Sequence, residues 1–294
     1  MTDHANIWQV SPTRAIHLDR PRLFTILNIT PDSFVDGGKL PTPDHARDAA
    51  KRAQDEGADG LDLGAESTRP GAQRIDAEEQ CRRLLPAIGA IRAAGVDLPI
   101  TADTTLSSVA GAALLAGANA INDVSGGTED EAMLALAAEH RCGIVLMHRL
   151  APPTKDRYSD QYNTDPEYPL GVTSEVTSFL GDRLAAAICA GVPRSGVLLD
   201  PGLGFGKSVE QNLDLIRGTS DLLALGCPLM SALSRKSFVG RVGLGRDSTP
   251  DERLPATLAL SALHLAAGAR VFRVHDTAAH RQALDAAWGL ISAR

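Results

Sequence analysis

The residues that could do chemistry in this chain stand where short apolar runs stop. Asn28 ends one run, Asp62 leads a second into Glu66-Ser67-Thr68-Arg69, Asp103 ends a third, and Asn122 and Asp123 close a fourth. His148 and Asp200 end the fifth and sixth; the seventh passes into Ser234-Arg235-Lys236 and the eighth into Arg273-Val274-His275-Asp276. Carboxylates and amides supply the paired acceptors and donors that suit a planar, nitrogen-rich heterocycle. Arg and His with nearby backbone amides suit a diphosphate, whose charge must be met by fixed donors. No Ser or Cys sits in a nucleophile elbow, and no His–carboxylate pairing is demanded. A displacement helped by leaving-group stabilisation fits that absence best. Any one of these polar groups could equally be a cap on a neighbouring helix, but eight together point to a shared site.

Two near-matches fail on spacing. Gly206-Lys207-Ser208 has the ending of a G-x-x-x-x-G-K-[ST] phosphate loop, yet the first glycine would fall on Pro201. Gly202, Gly204 and Gly206 also lack dinucleotide-loop spacing; they suit a tight turn that lets backbone approach a ligand closely. His148 is read as a hydrogen-bonded structural group, and no set of His, Cys and carboxylates has zinc spacing.

The elements that must position these groups alternate along the chain. Strands are expected at residues 23–29, 60–63, 100–103, 120–124, 143–147, 197–200, 228–233 and 271–274, each followed by apolar residues at helical spacing. The second helix carries Leu84, Leu85, Ile88 and Ile91 on one face before Gly95, and Pro86 within it predicts a kink or a late start. Eight strand–helix pairs call for parallel strands with right-handed crossovers. Over one continuous chain that count predicts a closed (β/α)8 TIM barrel, in which all eight polar ends meet on one face. A doubly wound open sheet stays possible, because strand order is not readable from one sequence. Residues 6–18 are expected to form a short hairpin closing the barrel bottom, and residues 1–294 are read as one domain. Two connections, 30–42 and 148–170, exceed what a barrel turn requires; such loops carry mobile active-site elements, although the second suits an ordinary surface excursion as well.

Composition narrows the classes. The net charge of −7 without a basic stripe argues against a nucleic-acid partner. No apolar stretch is long enough for a bilayer, and the segment from Met1 to Pro12, with Asp3 and His4, is not a signal peptide. Cys81, Cys142, Cys189 and Cys227 show neither C-x-x-C spacing nor a disulfide framework. All four are read as small core residues of a cytoplasmic protein.

From about Leu23 to about Ala279 the chain resembles dihydropteroate synthases. The segments that carry the likeness are residues 26–34 (Ile-Leu-Asn-Ile-Thr-Pro-Asp-Ser-Phe) with Asp36-Gly37-Gly38, Glu66-Ser67-Thr68-Arg69-Pro70-Gly71-Ala72, and Ile121-Asn122-Asp123-Val124-Ser125-Gly126-Gly127. Leu199-Asp200-Pro201-Gly202-Leu203-Gly204-Phe205-Gly206-Lys207, Ser234-Arg235-Lys236-Ser237-Phe238 and Arg273-Val274-His275-Asp276 complete them. The resemblance implies the barrel fold. It implies that Asp103, Asn122, Asp200 and Lys236 hold a pterin ring and that Asn28, Arg273 and His275 bind its diphosphate, with Asn28 also on a Mg2+ ion. Thr68, Arg69, Pro70, Phe205, Lys236 and Ser237 would form the para-aminobenzoate and sulfonamide site, and Asp62 and Arg235 would support it. Asn28, Lys236, Arg273 and His275 would carry the catalysis. A homodimer through helices on the far side of the barrel is also implied; the Ala- and Leu-rich segment 254–267 is compatible with that and equally with ordinary barrel packing.

Four positions depart from that family's usual pattern: Ala65 where a second glycine is usual, Leu106 where a basic residue often stands, Arg149-Leu150-Ala151 after Met147-His148, and Ala232 in place of glycine. Ala65 would add a methyl beside the pocket, and Lys236 could instead be a structural partner for Asp200. No extra residue lies between Ser67 and Ala72, which predicts sulfonamide sensitivity. A pterin-binding methyltransferase barrel would not account for Ser67-Thr68-Arg69-Pro70 or Ser234-Arg235-Lys236. A non-catalytic pterin-binding paralogue would not be expected to keep Thr68, Arg69, Arg273 and His275.

Overall fold

The computed structural model describes residues 6–30 and 42–293, so most of the expected 30–42 connection, with Asp32 to Gly38, lies outside the described residues. An antiparallel hairpin, β1 (Ile7–Ser11) and β2 (Arg14–His17), precedes an eight-stranded parallel sheet. Its strands are β3 (Arg22–Asn28), β4 (Gly60–Gly64), β5 (Ile100–Asp103), β6 (Ala120–Asp123), β7 (Gly143–Met147), β8 (Val197–Asp200), β9 (Met230–Ser231) and β10 (Val271–Val274). They lie in the order β8-β7-β6-β5-β4-β3-β10-β9, and a parallel bridge between Leu199 and Leu229 brings the two outer strands together. The sheet is therefore a nearly closed TIM barrel, not an open doubly wound sheet. Its helices are α1 (Pro43–Asp55), α2 (Ala77–Ala93), α3 (Ser107–Ala116), α4 (Met133–His140), α5 (Val172–Cys189), α6 (Val209–Arg217), α7 (Thr219–Leu223), α8 (Ser237–Leu244), α9 (Leu254–Ala267) and α10 (Thr277–Ser292).

Local chemistry explains most of these elements. Helix α2 starts at Ala77 because Asp76 accepts from the Glu79 N–H at its first turn (2.8 Å). The helix runs on through Pro86, so the late start does not occur. Leu84, Ile88 and Ile91 are fully buried, and α1 covers the neighbouring strands with Ala46, Ala49, Ala50 and Ala53. That small-residue face is how a chain so poor in aromatics packs helices on parallel strands. The seventh barrel strand is shorter than expected, Met230–Ser231 rather than 228–233. Pro228 has no N–H to give, but its carbonyl accepts from Leu199 N (3.0 Å), so the backbone still contributes to closure.

The hairpin plugs the barrel bottom. Trp8 and Val10 pack with Phe24, Ala120, Val145, Leu198 and Val271, which come from the strands themselves. The Trp8 indole donates to Gly196 O at 3.0 Å, and its ring lies 5.5 Å from that of Phe24. A Cβ at Gly143 would stand 2.8 Å from Gln9 O, so glycine is what lets the hairpin seat. Among the described residues no helix is long and apolar enough to cross a membrane. All four cysteines are unpaired, but only Cys142 and Cys227 are buried. Cys189, at the end of α5, is exposed and Cys81 half-buried, so the expectation of four core cysteines holds for two.

Candidate active site

Strand register builds the site. Asn28 faces Gly64, Gly64 faces Asp103, and Asp103 faces Asn122 across β3, β4, β5 and β6. Gly64 leaves room in this row: a Cβ there would come within 3.3 Å of the Asp103 Cβ. Beneath the row, Asp62 accepts from the Thr101 hydroxyl (2.5 Å) and from Asn122 Nδ2 (3.2 Å). From β10, Arg273 sends Nε to Asp62 Oδ2 (2.5 Å) and Nη2 to Asp103 Oδ2 (2.6 Å). Asp200 accepts from the Gly202 N–H at 2.7 Å. Asn122 Oδ1 is buried with no hydrogen-bond partner among the described residues.

Above these groups lies a cavity of about 350 Å³. Its walls include Asn28, Thr68, Arg69, Pro70, Phe205, Lys236, Ser237, Arg273 and His275. Arg235 and Arg253 also line it, so a chain of net charge −7 gathers five of its Lys and Arg residues around one opening. Lys236 Nζ stands 4.1 Å above the Phe205 ring and donates to Leu203 O. Gly204 makes that approach possible, with φ +81° and room for no Cβ: one would lie 2.6 Å from Lys236 Cδ. His275 Nδ1 is 3.1 Å from the Ser234 hydroxyl, which also accepts the His275 N–H. Arg235, held at φ +60°, forks onto both oxygens of Asp276 and reaches Asp251 (2.8 Å).

Burial sets the protonation of these groups. Asp103 is pushed up to about 7 by desolvation, against the pull of Arg273. Asp200 is raised for the same reason, with Lys236 opposing. Burial brings Lys236 down to about 7, although Asp200 favours its charge. Burial also works against the Arg273 charge, but Asp62 and Asp103 outweigh it and hold the guanidinium more firmly protonated than usual. Burial and the neighbouring Arg273 take His275 down to about 3, so its imidazole is neutral in the free site.

The family model for pterin binding enzymes matches residues 24–275. A dihydropteroate synthase of Streptococcus pyogenes serotype M6 is 43% identical over 256 residues, covering 87% of this chain and 90% of that protein. The solved dihydropteroate synthase of Xanthomonas albilineans with 4-aminobenzoic acid superposes with a TM-score of 0.87 at 38% identity, covering 99% of both chains. The same enzyme in complex with 7,8-dihydropteroate gives a TM-score of 0.83 at 36% identity, covering 97% of this chain and 99% of that one. This chain belongs to the dihydropteroate synthase family.

The residues that the synthase resemblance singles out divide into two layers. Asn28, Thr68, Arg69, Pro70, Phe205, Lys236, Ser237, Arg273, His275 and Arg235 line the cavity. Asp62, Asp103, Asn122 and Asp200 are buried at the strand ends and are not among its lining residues. Lys236, read from the sequence also as a structural partner for Asp200, gives its hydrogen bond to Leu203 O and acts on Asp200 through charge. Ala65 packs in the cluster shared with α1 and α2, so its methyl faces the helix layer rather than the pocket. Sequence reasoning missed Tyr158, Pro250 and Arg253 in the cavity wall. Tyr158 lies in the tyrosine-rich fifth loop, which was a usable signal; Arg253 follows no motif.

Lys207, set aside with the failed phosphate loop, is a buried strut. Its Nζ meets Gly202 O (2.9 Å), Phe205 O (2.9 Å) and His148 Nδ1 (3.0 Å). Burial and the Lys207 charge take His148 down to about 2, so it accepts from Lys207 as a neutral ring, in the structural role expected of it.

Proposed function

We propose that this chain joins 6-hydroxymethyl-7,8-dihydropterin diphosphate to para-aminobenzoate, giving 7,8-dihydropteroate and diphosphate in folate biosynthesis. The observation that carries the reading is a two-layer site, with buried acceptors below and a cation-lined cavity above. Asp103, Asn122 and Asp200 present oxygens to the N–H groups of a pterin ring, and the unpartnered Asn122 Oδ1 is suited to one of them. Lys236 lies beside the ring at the boundary of the layers. Asp62 keeps Asn122 and Arg273 in place, and Arg235 stiffens the turn that carries Lys236.

Arg273 and His275 face the diphosphate. They stabilise the charge that develops on it as the carbon–oxygen bond to the pterin methylene breaks. His275, neutral in the free site, donates an N–H and gains basicity as the anion arrives. Para-aminobenzoate lies against Phe205 and Lys236 with Ser237, Thr68, Arg69 and Pro70 around it. Its amine lone pair forms the new carbon–nitrogen bond, and the amine proton leaves to water or diphosphate.

Asn28 is the residue that would hold magnesium. Among the described residues there is no group of three His, Cys, Asp or Glu for a metal. One amide oxygen supplemented by diphosphate and water oxygens is a donor set that magnesium accepts. Bound there, the ion would neutralise charge on the leaving group. Removal of divalent ions by a chelator should abolish turnover and magnesium should restore it; full activity in chelator would remove the ion from the account.

The unextended Ser67–Ala72 segment supports sulfonamide binding in place of para-aminobenzoate. Leu263 on α9 is 61% exposed, an apolar side chain that a homodimer through this helix would cover. Unpaired cysteines suit a cytoplasmic setting. A strain lacking its own synthase should grow without added folate products when it carries this chain. It should stop again under sulfonamide, reversibly by para-aminobenzoate. Absence of growth despite soluble, pterin-binding protein would favour a non-catalytic pterin binder.

A further inference from the structure

The fifth loop, where Arg149-Leu150-Ala151 departs from the synthase pattern, is tied to the second. Glu129, just after β6, takes a guanidinium on each carboxylate oxygen: Arg74 on Oε2 at 2.9 Å and Arg149 on Oε1. Arg74 closes the segment that begins at Ser67, and its Nη2 also donates to the Thr105 hydroxyl at 2.9 Å. Arg149 follows His148 directly. A second tie runs through backbone, from Gly71 N to Pro153 O at 2.8 Å. At the base of the second loop, Glu66 accepts the Ile75 N–H at 2.8 Å, and Arg74 stands 3.7 Å from the same oxygen.

This network is neither a solvated ion pair nor a packed core. The Arg149 side chain is only 8% exposed and that of Glu129 21%. Burial works against the Glu129 charge, yet the Thr105 hydroxyl, Arg149 and Arg74 together hold its carboxyl below the usual range. Half-buried charges that stay ionised resist separation more than exposed ones do. Thr68, Arg69 and Pro70 lie between Glu66 and the Gly71 tie, so both ends of that stretch are fixed. The Glu66 end is held within its own loop by Ile75 and Arg74, and Arg74 reaches the third loop at Thr105 and the fourth at Glu129; the Gly71 end is held on the fifth through backbone.

We propose that Glu129 and Arg149 are positioning residues that hold the second loop over the cavity for the amine substrate. The proposal rests on the reading that Thr68 to Pro70 contact para-aminobenzoate. Neither residue touches the cavity, so their effect passes through the loop and falls on amine affinity and not on the pterin pocket. The latch also gives Arg149 a use, and it makes the fifth loop part of the amine site without lining most of it.

The test is steady-state kinetics of the full-length protein with Arg149→Met, Glu129→Gln, Arg74→Met and the double variant Arg74→Met/Arg149→Met, alongside Thr68→Ala. The latch predicts that each single variant raises KM for para-aminobenzoate by roughly five-fold or more. KM for the pterin diphosphate should stay close to wild type, whatever small fall in the thermal midpoint the unpaired charge causes. Arg149→Lys, which keeps one cationic contact, should recover part of the loss. Because both arginines act through one carboxylate, the double variant should cost much less than the product of the two single effects. If Thr68→Ala raises the amine KM while the latch variants do not, the latch is wrong and the loop assignment stands. If none of them moves it, the loop assignment itself fails and takes the latch with it. Equal losses for both substrates, with a lowered midpoint, would mean a merely structural network and would also overturn the proposal.

Discussion

Arg273 Nη2 stands 2.6 Å from Asp103 Oδ2, across a sequence separation of 170 residues, while its Nε holds Asp62. One guanidinium therefore serves two buried carboxylates, and its other face looks into the cavity. Burial is why Asp103 rises despite its ion pair, and the neighbouring Asp62 and Asp123 carboxylates add to it. The cavity-facing side is the part of Arg273 that a diphosphate can use.

Arg273→Ala should fail in two measurable ways. Two buried carboxylates lose the one cation that pairs with both among the described residues, which costs about 3–5 kcal/mol in denaturant unfolding. Turnover should fall about 10²–10³-fold through the lost leaving-group contact. Arg273→Lys keeps a charge but cannot fork between Asp62 and Asp103, so it should recover stability better than activity. Wild-type turnover in Arg273→Lys would show that the fork has no part in the reaction.

The pH profile follows from Asp103 and Lys236. In the proposed reaction the pterin ring takes the Asp103 carboxylate as acceptor, and protonation near 7 removes it. The anionic substrate needs the Lys236 ammonium, which burial makes willing to lose its proton near 7. kcat/KM, which reports the free enzyme, should therefore fall on both sides of a maximum near neutrality. Asp103→Asn should lower activity and flatten the acid limb, and Lys236→Met should flatten the alkaline one. Acid and alkaline limbs that persist unchanged in these variants would assign them to other groups.

The barrel bottom should behave as a stability element alone. Trp8→Ala opens a cavity among Val10, Phe24 and Leu198 and leaves Gly196 O without its donor. A loss of about 3–5 kcal/mol is expected on equilibrium unfolding. KM for both substrates should remain unchanged, because the hairpin lies at the end of the barrel opposite the strand-end row that begins at Asn28. A changed KM would mean that bottom and mouth are coupled.

The sequence made the barrel legible because each strand is a short apolar run that stops at a polar residue, as at Asp103 and Asp200. The row Asn28, Gly64, Asp103, Asn122 could not be read, since it depends on register between strands. Nor could the division of Lys236 between Phe205 and Leu203 O, which a turn at Gly204 decides. Arg74, Glu129 and Arg149 belong to three loops with no common motif, and only folding brings them together. Lys207 looked like the remnant of a phosphate loop; its burial among carbonyls is a tertiary fact. Pro86 does not delay the start of α2, because Asp76 caps the helix ahead of it and burial of Leu84, Ile88 and Ile91 outweighs the lost hydrogen bond.

The most direct measurement is diphosphate release by the purified protein, given magnesium and the pterin diphosphate, with and without para-aminobenzoate, beside Lys236→Ala. Release that requires the amine, is matched mole for mole by dihydropteroate and collapses in the variant is the predicted result. Release that ignores the amine, or a Lys236→Ala variant as active as wild type, would contradict the two-layer site.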